Sequence, residues 1–127
     1  MNTLVLRFCL ASVLALAGCA TSSGNRDEAQ LRLRMGTALL QQGHYPNALR
    51  ELLAAEKLDP NNQYVQNNLG LVYFMRQKFA TAAQHLQRAI EIDPKYTEAR
   101  NNYARVLIEL EKYDQAIAEL QKGTNDL

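Results

Sequence analysis

The chain has 127 residues, room for one domain, and carries 14 Lys+Arg against 13 Asp+Glu for a formal net charge of +1. That balance offers no basic face to displace counterions, which argues against nucleic acid as a partner. Both cysteines, Cys9 and Cys19, precede residue 20, so residues 20–127 carry neither a disulfide nor thiol chemistry.

The two ends differ in character. Residues 1–18 hold one charged side chain, Arg7, and without them 13 Lys+Arg face 13 Asp+Glu. Arg7 and the free amine form a short positive region, followed by an apolar run from Phe8 to Ala17. As a helix that run spans roughly 15 Å, about half a bilayer core, too short for a comfortable crossing. It ends in Leu16-Ala17-Gly18-Cys19. This ending resembles the lipobox of bacterial lipoproteins, in which small residues precede a modified cysteine. The resemblance implies that residues 1–18 are a signal peptide. It also implies a diacylglycerol on the Cys19 thiol and cleavage just before it, a covalent lipid and no dissociable cofactor. Several acyl chains, at about 0.8 kcal/mol per buried CH₂, hold a protein at a membrane. In Gram-negative lipoproteins an Asp after the cysteine favours inner-membrane retention, so Ala20 implies the outer membrane, facing the periplasm. Residues 19–27, with Ser22, Ser23 and Gly24, read as the lipidated cysteine and a flexible tether.

From about residue 28 the chain matches itself at an offset of 34 residues. Gly36, Gly70 and Ala104 align, as do Tyr45, Phe79 and Tyr113; Ala48, Ala82 and Ala116; and Leu52, Leu86 and Leu120. Asp59-Pro60 aligns with Asp93-Pro94. In the first unit Leu31, Met35, Ala38 and Leu39 recur at helical spacing, and Gln42-Gly43-His44 breaks the run. A second helix begins near Tyr45-Pro46, where proline suits a first turn, with Leu49, Leu52 and Leu53 as its apolar face. Asp59-Pro60-Asn61-Asn62 closes the unit. The same logic predicts helices over 63–76 and 79–92, then 97–110 and 113–122. The pattern resembles the tetratricopeptide repeat (TPR) family. The resemblance implies an all-α fold of three helix-turn-helix repeats, at about 29–62, 63–96 and 97–127, in a short right-handed solenoid.

Mid-helix glycine costs about 0.8–1 kcal/mol relative to alanine. Gly36 and Gly70 therefore need a packing reason, and the aligned Ala48 and Ala82 offer one, small residue on small residue. Arg32, Gln66 and Arg100 stand where the family usually has tryptophan, and Gln77 and Glu111 replace the loop glycine seen at Gly43. Beyond the third unit no further helix is evident to cover Val106, Leu110 and Ile117, and repeat arrays need a polar cap. A homodimer through that repeat is one expectation, and descent from a longer array is the other.

Nothing marks an enzyme. His44 lies in a turn and His85 on an outer helix, both expected to be solvated, and neither has a partner at metal-ligand spacing. No G-x-S-x-G, P-loop or dinucleotide glycine pattern occurs. Stacked hairpins offer a groove lined by their first helices. The positions that line it in the family are here Leu33, Thr37 and Leu40; Tyr64, Asn67, Asn68, Leu71, Phe74 and Met75; and Asn101, Asn102, Arg105 and Ile108. Paired asparagines suit the donors and acceptors of an extended peptide backbone, and the apolar members suit its side chains. The other reading makes the asparagines filler on a solvated face and the apolar residues part of the core. Asn68 alone matches the family's clamp for a C-terminal carboxylate, and no cation stands at the other clamp positions.

The lipobox, the tether and the opening Gly36-x-x-Leu39-Leu40-Gln41-Gln42-Gly43-His44-Tyr45 resemble the PilF/PilW pilotin family of type IV pilus biogenesis. This implies a partner in a secretin subunit that the lipoprotein brings to the outer membrane. An NlpI-like adaptor that docks envelope hydrolases or proteases is the alternative.

Overall fold

The computed structural model describes residues 23–125. Helix α1 covers residues 23–41 of that span. It is followed by α2 (Tyr45–Leu58), α3 (Gln63–Met75), α4 (Phe79–Ile92), α5 (Thr97–Glu109) and α6 (Tyr113–Asn125). No strand occurs among the described residues. Cys19 and the signal segment lie outside them. Residues 23–27, expected as the end of the tether, are helical and exposed.

The helices form three hairpins stacked so that the second helix of each touches the first helix of the next. That contact explains the core. Leu52 of α2 lies with Leu33 of α1 and with Val65, Leu69 and Val72 of α3. Leu86 of α4 lies with Tyr103, Val106 and Leu107 of α5. Full burial of each such side chain contributes about 1.5–3 kcal/mol. Val106 is thus a core residue, because it faces α4, and only Leu110 and Ile117 of the expected outer set are partly or largely exposed. Leu53 faces solvent beside the buried Leu52.

The glycine argument needs a different partner. A Cβ at Gly36 would meet Leu52 Cγ at 2.6 Å, and one at Gly70 would meet Leu86 Cγ at 2.5 Å. The backbone makes room for a leucine, and Ala48 approaches Gly36 only through its carbonyl, at 3.4 Å. In the third hairpin alanine stands at 104, and the aligned Leu120 is 41% exposed where Leu52 and Leu86 are at 0%.

All three hairpin turns close the same way. Gly43, Gln77 and Glu111 have φ of 78°, 60° and 60°. The N–H of each donates to the carbonyl of Leu40, Phe74 or Ile108, and the next N–H reaches back to Leu39, Tyr73 or Leu107. This is the Schellman arrangement, which needs a left-handed residue. A left-handed L-residue other than glycine costs about 1–2 kcal/mol. Gln77→Gly and Glu111→Gly therefore each raise stability by about 0.5–1 kcal/mol after the added chain entropy is subtracted. The readout is a higher urea midpoint at unchanged slope.

The usual tryptophan position has become a polar tie between the two helices of each hairpin. Arg32 Nη1 donates to Glu51 at 3.0 Å, and Arg100 Nη1 donates to Glu119 at 2.7 Å. In the middle hairpin His85 Nδ1 donates to Gln66 Oε1 at 2.8 Å, in the Nδ1-protonated tautomer. His85 is accordingly not solvated: it stacks on Tyr73 at 5.3 Å with the rings 6° apart, and its side chain is 19% exposed. Burial holds its pKa below the ordinary 6.5 against the opposing charge of Glu56. A depressed folded-state pKa gives stability that is complete above about 6.5 and is lost as pH falls from there toward the folded value. The urea midpoint should drop over that window, and His85→Gln should flatten the drop.

Candidate peptide-binding groove

The first helices of the hairpins line two adjoining cavities. The first, about 420 Å³, lies between α1 and α3 and is closed at one end by the start of α5. Leu33, Thr37 and Ala38 form its α1 wall, Tyr64 and Asn68 face them from α3, and Tyr96 and Glu98 complete it. Gln30, Arg34 and Gln41 stand at its rim as exposed polar side chains. The second cavity, about 440 Å³, is lined by Leu40, Tyr45, Leu71 and Met75 beside the Gly43 turn. Gln41 borders both, so a polar, aromatic cavity and an apolar one adjoin along the first helices.

Local chemistry fixes the polar cavity. Asn62 caps α3 by accepting from the N–H groups of Tyr64 and Val65. This sets the angle at which Tyr64 meets Tyr96, edge to face at 5.3 Å. Burial and then the neighbouring Glu98 charge push the Tyr96 phenol far above its ordinary value, so it stays neutral. Thr37 Oγ1 donates to the Leu33 carbonyl at 2.8 Å and accepts from Asn68 Nδ2 at 2.7 Å. The Asn68 amide N–H₂ is thereby engaged within the wall.

The expected site residues divide. Leu33, Thr37, Tyr64 and Asn68 line the first cavity, with Leu33 buried at its floor, and Leu71 and Met75 line the second. Asn67 and Asn102 do not face the groove as free amides. Asn67 is at 0% exposure, donates to Glu98 at 3.3 Å and accepts from Asn102 at 2.9 Å, tying α3 to α5. An amide buried between two helices is stable only when its donors and acceptors are met, and these meet each other. Asn101 is exposed and borders neither cavity. Phe74 and Arg105 are brought together beyond the groove, the guanidinium 5.0 Å from the ring centroid, and Ile108 is exposed outside both cavities. Sequence reasoning placed Glu98 at a clamp position of the groove but missed Tyr96 and Arg34. Tyr96 precedes its helix, whereas the pattern considered only positions inside first helices.

Among the described residues no three His, Cys, Asp or Glu side chains are grouped to hold a metal, and no helix is long and apolar enough to cross a membrane.

A solenoid of helical hairpins with a groove along its first helices defines a class of protein-interaction scaffold. Family models described as tetratricopeptide repeat match residues 33–97 and 73–127, and the chain belongs to that family. Solved structures agree on the fold. The second TPR of Spaghetti (RPAP3), bound to HSP90 peptide SRMEEVD, is 18% identical and superposes with a TM-score of 0.80 over 85% of this chain and 99% of that one. The Arabidopsis OM64 TPR domain is 21% identical, with a TM-score of 0.75 over 78% and 82%. MamA is 20% identical, with a TM-score of 0.74 over 78% of this chain and 58% of that one. No curated protein sequence matches the chain.

Proposed function

We propose that the chain is a lipoprotein, anchored through Cys19 in the outer membrane and facing the periplasm, whose groove holds an extended segment of a partner protein. The observation that carries the binding reading is the pair of adjoining cavities, one polar and aromatic at Tyr64 and Tyr96, the other apolar at Leu71 and Met75. Such a pair suits a segment with a hydrogen-bonding end and one or two apolar side chains. The peptide bound to Spaghetti supports a peptide occupant in this fold, and the cavity here offers it one charge of each sign, Arg34 and Glu98. The lipobox and the opening of the first repeat favour a secretin subunit as the partner, in a pilotin-like role in type IV pilus biogenesis.

A photo-crosslinking residue at position 64 in the full chain, expressed in its host, tests both parts. Secretin as the dominant adduct, lost with Tyr96→Ala and Met75→Ala, is the expected result. Envelope hydrolases or proteases in its place would replace the pilotin reading with the NlpI-like adaptor, and no adduct at all would remove the groove. Cys19→Ser in the same cells should leave unprocessed, unlipidated precursor, and normal processing of that variant would sink the anchor.

A further inference from the structure

The two ends of the solenoid expose apolar faces in a defined register. On α6, Tyr113, Ile117 and Leu120 are 57%, 54% and 41% exposed. Their equivalents one and two repeats earlier are Phe79, Ala83 and Leu86 on α4, and Tyr45, Leu49 and Leu52 on α2. Leu52 and Leu86 lie in core clusters that include the first helix of the following hairpin. Tyr45, Leu49, Phe79 and Ala83 pack against those clusters, Phe79 also meeting Phe74 of its own hairpin at 5.6 Å. On α1, Leu31 and Met35 are 52% and 44% exposed. Their equivalents are Val65 and Leu69 on α3, and Ala99 and Tyr103 on α5, all buried beneath the preceding hairpin. The α6 face is therefore what covers a first helix inside this array, and the α1 face is what is covered.

A polar pair repeats the fit. Inside the array Asn67 donates to Glu98 and accepts from Asn102 of the next hairpin. Its equivalent Asn101 is exposed. The residues equivalent to Glu98 and Asn102 on α1 are Gln30 and Arg34, also exposed. Gln30 has an amide oxygen to accept from Asn101, and Arg34 has N–H groups to donate to its oxygen. Both bonds of the internal junction thus have chemically suitable counterparts.

We infer that a second copy of this chain docks head to tail, its α1 seated on α6 as α3 sits on α2 and α5 on α4. The contact is heterologous: each copy keeps one free α1 face and one free α6 face, so association continues past two copies. The polar part of the α1 face, Gln30 and Arg34, also stands at the rim of the first cavity. Met35 and Ile117 line neither cavity, so substitutions at those two test the end faces and leave the groove lining intact.

Sedimentation equilibrium of the full chain in density-matched detergent tests it, with Met35→Glu and Ile117→Glu as variants. Both residues are exposed, so each variant should keep the helical circular dichroism of the parent. The parent should show a protein mass that grows with concentration beyond two copies, and each variant alone should stay monomeric. An equimolar mixture of the two should form a pair and stop there. The intact α6 of the Met35→Glu chain then meets the intact α1 of the Ile117→Glu chain. A parent that is monomeric throughout overturns the inference. So does a Met35→Glu chain that still associates, which would mean α6 against α6, or a mixture that stays monomeric.

Discussion

Replacing Gly70 with alanine should destabilise the protein by about 1–3 kcal/mol, the cost of overpacking, even though alanine is the better helix former by roughly 0.8–1 kcal/mol. The added methyl would lie 2.5 Å from Leu86 Cγ and 2.9 Å from Leu86 Cδ2. Leu86 has no exposed surface and is held by α5, so it has nowhere to retreat. Either α3 moves away from α4 or the leucine leaves its rotamer. The third hairpin shows the relaxed solution, with alanine at 104 and Leu120 41% exposed. Leu86→Ala alone leaves a cavity and costs about 2–5 kcal/mol. The double substitution should cost clearly less than the two added together, because each relieves the other. Urea unfolding of the four proteins measures the coupling, and strict additivity would mean that glycine is there for another reason. Asn68 and Leu71 flank Gly70 on α3 and line the two cavities. The substitution should therefore also weaken capture at position 64.

Helix positions and turns were legible because they rest on local chemistry. The helical spacing, Pro46 in the first turn of α2 and the two Asp-Pro breaks set bounds that the structure reproduces to within a residue or two, apart from the extensions of α1 back to residue 23 and α6 on to residue 125. The core was legible where a residue recurs at the repeat offset, as Leu52 and Leu86 do. What the repeat did not disclose is the partner of each residue. Val106 reads as an outer residue from the repeat alone, because its cover comes from the stacking of hairpins. The asparagines were misread in part for the same reason. Asn67 and Asn68 are adjacent in sequence and alike in chemistry, yet one ties α3 to α5 and the other leans on Thr37 at the groove wall. A helix turns about 100° per residue, so neighbours take different faces. His85 shows the cost of reading one residue at a time. Alone it looks like a solvated histidine. Aligned with Glu51 and Glu119, and with Gln66 aligned to Arg32 and Arg100, it belongs to a tie repeated in every hairpin.

The tie in the third hairpin should be the one that matters most to stability. Arg100→Ala is expected to cost about 3 kcal/mol, at the lower end of what breaking a buried ion pair costs. The Arg100 side chain is 10% exposed and Glu119 15%. Arg100 also donates from Nε and Nη2 to the Pro94 carbonyl, at 3.1 and 2.8 Å, so it fastens the turn before α5 as well as α6. Its removal leaves that carbonyl and a sheltered carboxylate short of donors, with Lys122 at 2.9 Å as the remaining cation on Glu119. Arg32→Ala should cost less, since its side chain is 38% exposed and Glu51, though only 8% exposed, keeps Arg50 Nε at 3.6 Å. Burial pushes the Glu119 carboxyl up, and Lys122 and Arg100 together outweigh it, leaving the pKa below the ordinary carboxylate value. A depressed carboxylate pKa adds stability that is present above the unfolded value and is lost as pH falls through the folded one. In Arg100→Ala the Glu119 titration should shift upward and its share of the acid sensitivity should shrink, both visible by NMR titration and urea unfolding at several pH values. Replacing both partners with apolar residues of similar volume, Arg100→Met with Glu119→Leu, should recover much of the loss, because no charge is then left buried. If Arg100→Ala cost no more than Arg32→Ala, the tie would be surface decoration and α6 would be held by Ala116 and Gly123 packing alone.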